Sequence, residues 1–256
     1  ITNKKAKGKK GSIVAIFSGT KVEPIIEQLM KISNKKRDMV KEITLDMANS
    51  MKTIAKKCFP KAVQVTDRFH VQKLALEALQ DIRIKHRWDA IDQENEHIKR
   101  AKEKNRAFVP KEFSNGDTRK QLLARSRYLL YKSPNNWTPN QSERSRILFS
   151  QYPDIKLAFE LVQGLRHIFN TATTIQVAYT KLAHWYKDVE NTGFRAFNTI
   201  ANTISLNYRS ILNYFINRST NASAESFNAK IKAFRTQFRG VRNTEFFLFR
   251  LTQLFA

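Results

Sequence analysis

Val40-Lys41-Glu42-Ile43-Thr44-Leu45-Asp46, a helical stretch from Ala48 to Phe59, and then Pro60-Lys61-Ala62-Val63-Gln64-Val65-Thr66-Asp67 together decide the fold. Residues 40–46 read as a strand. Residues 48–59 read as a helix with Met51, Ile54, Ala55 and Cys58 on one face, stopped by Pro60. Residues 62–67 read as a second strand with Val63 and Val65 on one face. Upstream, the β-branched run at residues 12–17, ended by Gly19, predicts another strand. Residues 22–32 carry Ile25, Ile26, Leu29 and Met30 at helical spacing, and Lys35, Lys36 and Arg37 read as a loop. From Phe69 the helical period returns through Leu74, Ala78 and Ile82. Strand and helix thus alternate three times, which predicts an α/β domain with a largely parallel sheet.

The middle of the chain changes character. Residues 83–105 are dense in charge and predict a long exposed helix. Residues 108–118 read as a loop, 122–131 as a helix, and 133–139 as a loop around Trp137. Helical patterns then run over residues 142–216 with breaks near Pro153 and Gly193, without a strand signal. The expected organisation is an α/β core begun by residues 1–82, a helical insertion over 83–216, and closing helices in 217–256. In the last part a cap-rich turn at 217–221 precedes helices at 222–238 and 244–255.

The 256 residues carry 46 Lys+Arg against 22 Asp+Glu, a formal net charge of +24. Such an excess repels itself unless a polyanion is near, and nucleic acid is the simplest one. A solubility surface would interleave both signs. Cys58 is the single cysteine, so disulfides and cysteine-rich zinc sites are excluded, and a reducing cytoplasm fits. The apolar run at 246–256 is too short to span a membrane and carries Arg250. Ile1 stands where an initiator Met would, so the chain reads as a fragment whose start lies upstream.

Three acids could carry chemistry. Asp46 ends its strand just before a helix, on the sheet rim where α/β ligands bind. It is also a preferred helix cap. Asp67 repeats the arrangement, with Arg68 and His70 beside it. If the two strands are neighbours, both carboxylates share one rim. Glu225 lies at the start of a late helix whose apolar stripe is Phe227, Ile231, Phe234 and Phe238, while Glu225, Asn228, Lys232 and Arg239 share another face. A Glu there also suits the helix dipole. Two acids on strand ends, a helical insertion and a late Glu is the set that two-metal phosphoryl transfer needs. Arg125, Arg127, Lys132 and Trp137 read either as DNA contacts or as an ordinary surface.

The segments Glu42-Ile43-Thr44-Leu45-Asp46-Met47, Phe59-Pro60-Lys61-Ala62, Asp67-Arg68-Phe69-His70-Val71 and Asn221-Ala222-Ser223-Ala224-Glu225-Ser226-Phe227-Asn228-Ala229-Lys230-Ile231-Lys232 resemble the DDE transposases of the ISL-three group of bacterial insertion sequences. The resemblance runs from the basic turn at residues 4–11 to the closing helix. It implies a ribonuclease-H-like core and an acidic triad holding two Mg²⁺ or Mn²⁺ ions. It further implies double-stranded DNA as partner, at terminal inverted repeats and at the target, with a homodimer in the active complex in the bacterial cytoplasm, associated with the nucleoid. Asp46 matches the second triad acid and Glu225 the third, both as metal ligands. Asp67 matches an acid of supporting role, and Arg68, His70, Asn228, Lys232 and Arg239 are the expected DNA contacts.

The family's first acid lies ahead of the basic turn, and no Asp or Glu precedes Glu23 here. The expectation is a core lacking its first strand and inactive alone. The expected reaction is metal-dependent strand cleavage followed by strand transfer. The rivals are a nuclease or junction resolvase on the same fold, and a DNA-binding relic that no longer cuts.

Overall fold

The computed structural model describes residues 1–6, 9, 11–17, 19–237 and 241–255. In chain order, a 3₁₀ turn (Lys4–Ala6) precedes α1 (Val22–Met30), α2 (Asn34–Asp38), β1 (Glu42–Leu45), α3 (Asn49–Cys58) and β2 (Val63–Thr66). Then come α4 (Arg68–Glu103), α5 (Arg119–Arg125), α6 (Arg127–Leu130), a 3₁₀ turn (Pro134–Asn136), α7 (Pro139–Gln151) and α8 (Pro153–Thr171). The chain closes with α9 (Ile175–Thr192), α10 (Arg195–Leu206), α11 (Tyr208–Leu212), α12 (Tyr214–Asn217), α13 (Ala222–Gln237) and α14 (Thr244–Phe255). Two compact units result: Ile1–His70 with Asn207–Ala256, and Val71–Leu206.

The first unit is built on β1 and β2, which pair in parallel with Glu42 opposite Val63 and Leu45 opposite Thr66. The ladder extends at both ends, where Val63 N donates to Lys41 O (2.9 Å) and Asp67 N to Leu45 O (3.0 Å). Two short strands are marginal alone and need a packed face. Ile25 and Leu29 of α1 supply it with Ile54 and Cys58 of α3 and Phe59, and Val40 and Ile43 pack against them. Segment α11–α12 docks by polar contacts. Thr66 and Ser210 hydroxyls lie 2.7 Å apart, and Asn213 Nδ2 donates to Gln64 O (2.9 Å).

Two expectations in this unit are corrected. Residues 12–17 are not a strand. They form one antiparallel bridge, Thr2 with Ile13, flanked by Asn3 N to Ser12 O (2.8 Å) and Val14 N to Ile1 O (3.0 Å). The β-branched run has the propensity, but a strand needs a partner along its whole length, and Ile1–Asn3 pairs with only its first residues. Among the described residues the sheet therefore has two strands and not three. The expected loop at Lys35–Arg37 is the short helix α2. Arg37 is buried, and it donates from Nε to Ile32 O (2.9 Å) and from Nη1 to Cys58 O (2.8 Å), with a third bond to Asn34. Carbonyls at helix ends lack intrahelical partners, and one guanidinium here serves the end of α3 and the turn that follows α1.

The second unit is helical. Thr138 and Gln141 form a reciprocal capping box at the start of α7, Thr174 caps α9, and Gly193 at φ 66° ends α9. Trp185 Nε1 donates to Leu161 O (2.9 Å), tying α9 to α8. The charge-dense stretch of α4 is not uniformly exposed: Arg83 is buried, donating to Leu123 O (2.9 Å) and Gln80 Oε1 (2.7 Å). Trp137 donates to Leu129 O (2.8 Å) and stacks on Phe159, so it packs into its own unit. Asp117 is fully buried between Arg144 (2.7 Å) and Arg125, with Asn115 donating to it at 2.9 Å. Among the described residues, no helix is long and apolar enough to cross a membrane.

Candidate active site

Asp46 follows β1 directly. Its Oδ1 accepts from Ala48 N (2.9 Å), an Asx turn that carries the chain from the strand into α3. The residue is half-buried, and its Oδ2 has no hydrogen-bond donor among the described residues. The cap reading and the ligand reading are thus compatible, one oxygen serving each. Lys52 of α3 feels this carboxylate: burial lowers the Lys52 pKa and the charge of Asp46 opposes that.

Asp67 follows β2 one register step beyond the Leu45–Thr66 pair, so the two acids sit on the same rim. Its environment differs. The residue is 1% exposed, with Oδ1 accepting from Phe69 N (2.9 Å) and Oδ2 from Asn221 N (2.7 Å). Both oxygens are committed to backbone. Its neighbours are engaged too: the Arg68 guanidinium lies over the Tyr214 ring (5.9 Å to the centroid), and His70 meets Phe69 edge-on.

Asn221 is where α13 begins, since Glu225 N donates to Asn221 O (2.9 Å). Glu225 therefore stands one turn along the helix whose start Asp67 holds, about 6 Å along its axis. Glu225, Asn228 and Lys232 are all exposed on α13, at the expected helical spacing. Arg239 and Phe238 lie outside the described residues. Phe227 is buried at the root of the helix, and Phe234 stacks on Phe247 of α14.

The path into α13 runs through the cap-rich turn expected at residues 217–221 and through Asn213, which the sequence did not single out. Asn213 bonds to Gln64, Asn217 Nδ2 to Glu42 Oε2 (3.1 Å), and Asn221 to Asp67. Arg218 takes a left-handed conformation (φ 51°) as the C-cap of α12. Asn213 and Asn217 act through their side-chain amides, whereas Asn221 acts through its backbone N–H, which leaves no mark in the sequence.

The structure places Asp46 and Asp67 together on the rim, and it ties the start of the Glu225 helix to Asp67. Among the described residues no three His, Cys, Asp or Glu side chains are grouped so as to hold a metal ion. The charge is uneven between the units. Residues 1–70 and 207–256 hold 24 Lys+Arg against 8 Asp+Glu, most of the chain's excess, in the unit that bears the three acids.

A family model described as a transposase, of the DDE ISL3 group, matches residues 1–251. This chain belongs to the ISL3 transposase family. It is 30% identical over 135 residues to the transposase for insertion sequence element IS1557 of Mycobacterium tuberculosis, in strain CDC 1551 / Oshkosh and equally in strain ATCC 25618 / H37Rv. The match covers 51% of this chain and 29% of each relative. No solved structure matches.

Proposed function

We propose that this chain is the catalytic part of an insertion-sequence transposase, cutting DNA at the element's terminal inverted repeats and joining the freed 3′-hydroxyl to target DNA. The observation that carries this reading is the shared rim: two strand-end acids side by side, with Asp67 holding the helix that presents Glu225. The parallel β1–α3–β2 unit is then part of a ribonuclease-H-like core, residues 83–216 its helical insertion, and residues 217–256 its closing helices. The active complex is a homodimer on double-stranded DNA.

The donor set suits a hard divalent cation, Mg²⁺ or Mn²⁺, which prefers carboxylate oxygens. Asp46 fits, because one oxygen is fixed by backbone and the other is open. Glu225 fits as an exposed carboxylate on a held helix. Asp67 does not fit, because both oxygens are used and the group is sealed from solvent. When bound, two such ions stabilise the attacking and leaving oxygens of an in-line displacement.

The chain's own side chains do the rest. Asp46 and Glu225 supply the ligand oxygens. Asp67 fixes the start of α13. Asn228 and Lys232, on the Glu225 face, hold the DNA backbone, with Arg68, His70 and Arg239 as further contacts. The test is a reaction of the full-length protein on supercoiled DNA carrying both element ends. Metal-dependent cleavage followed by end-joining to a target supports a transposase. Cleavage with no joined product supports a nuclease or resolvase, and binding with neither supports a relic.

A further inference from the structure

In the second unit, the expected basic cluster of Arg125, Arg127 and Lys132 sorts into engaged and available members, and Arg87, which the sequence did not single out, stands with the available one. Arg125 is committed to buried Asp117, and Lys132 donates to Gln141 Oε1 (3.2 Å). Arg87 and Arg127 are both exposed and have no ion-pair partner among the described residues. Both lie close to the contact of α4 with α5 and α6. Gln80 Nε2 contacts Arg127 O (3.4 Å) and Arg83 Nη1 donates to Leu123 O, which seats the start of α6 against α4 at the turn holding Arg83. Arg87 follows Arg83 by four residues, on the same face of α4. Burial lowers the Arg83 pKa, and the like charges of Arg87 and Arg127 lower it further. The guanidinium of Arg127 lies 5.5 Å from the ring centroid of Tyr128, which is 68% exposed. Arg166 Nη2 holds the backbone of Tyr131 at its carbonyl (2.9 Å).

Like charges kept together without an ion-pair partner cost stability unless an anion neutralises them. We propose that Arg87 and Arg127, backed by buried Arg83 and flanked by Tyr128, form a second contact surface for the phosphate backbone of duplex DNA, on the helical unit. This rests on the transposase reading above and extends it from the acidic rim to residues of the helical unit. Exposed guanidinium groups suit bidentate phosphate contacts. Contacts of this kind position the duplex and carry no sequence preference.

The experiment measures binding of the full-length protein to a duplex bearing one element end, and to a scrambled duplex, across a salt series. Variants are the double R87A/R127A and, as control, K156A, which removes an exposed lysine paired with Glu160. The proposal predicts that the double variant weakens binding to both duplexes alike and flattens the slope of log K against log salt by about 2, or nearly one per lost phosphate contact. K156A leaves the slope unchanged. Wild-type affinity and slope in the double variant would overturn the contact surface while leaving the transposase reading standing. Weaker binding with an unchanged slope would overturn it as well. Failure of the wild-type protein to bind either duplex would overturn the transposase reading itself, and this proposal with it. Circular dichroism confirms folding, since both substituted side chains are exposed.

Discussion

Asp67 Oδ2 accepts a 2.7 Å hydrogen bond from the backbone N–H of Asn221, 154 residues further along the chain. A buried carboxylate thereby joins the end of β2 to the start of the helix carrying Glu225. Substituting Asn for Asp67 keeps the shape but turns one acceptor into an NH₂ group that faces an N–H donor. The expected cost is about 1–3 kcal/mol, the penalty for leaving a buried polar group unpaired. Urea unfolding should show a lower midpoint for D67N. Unchanged stability together with lost cleavage would assign Asp67 to the chemistry instead.

Arg37 gives a second stability test. Its donors diverge to Ile32 O, Cys58 O and Asn34, and a lysine ammonium cannot span that fork. R37K should lose about 1–3 kcal/mol in a denaturation series. A wild-type midpoint would show that these helix-end contacts contribute nothing net.

What the sequence shows, and what it hides, follows from the range of the forces involved. The β1–α3–β2 unit is legible because Val63 and Val65, the stripe of Met51, Ile54 and Cys58, and the stop at Pro60 all act locally. Glu225, Asn228 and Lys232 share a face by helical spacing alone. Residues 12–17 misread because β propensity says nothing about the length of a partner. Arg37 and Arg83 misread because charge suggests exposure, while the carbonyls that accept their hydrogen bonds belong to distant segments. The Asp67–Asn221 contact is illegible for the same reason. Each acid could be seen as a candidate, but not that one is sealed by backbone donors and another is half open.

Asp117 predicts a pH dependence. Burial by itself raises its carboxyl, but hydrogen bonds from Arg144 and Arg125 outweigh that and hold the pKa below its ordinary 3.8. A depressed folded-state value means the group adds stability above 3.8 and loses it as pH falls from there through the folded value. D117N should be less stable than wild type by about 3 kcal/mol at neutral pH, because it breaks a buried ion pair. That gap should narrow in acid. A gap of constant size down to about pH 3 would contradict this linkage.

The charge predicts a steep salt dependence. If about six phosphates are neutralised, log K for duplex DNA should fall against log salt with a slope near −5. A flat response between low and physiological ionic strength would show that the basic excess serves something other than DNA.

The central claim is that Asp46 and Glu225 are metal-ligand acids while Asp67 supports them. The most direct measurement compares D46N, E225Q and D67N in the full-length protein, reading metal-dependent cleavage at an element end and duplex binding side by side. Since even partners of metal ligands contribute 10–100-fold, loss of a ligand should lower cleavage by more than about 100-fold. The account predicts that loss for D46N and E225Q with binding nearly intact, and for D67N a lowered unfolding midpoint with residual cleavage that tracks the folded fraction. Full cleavage by E225Q, or by D46N, would contradict it.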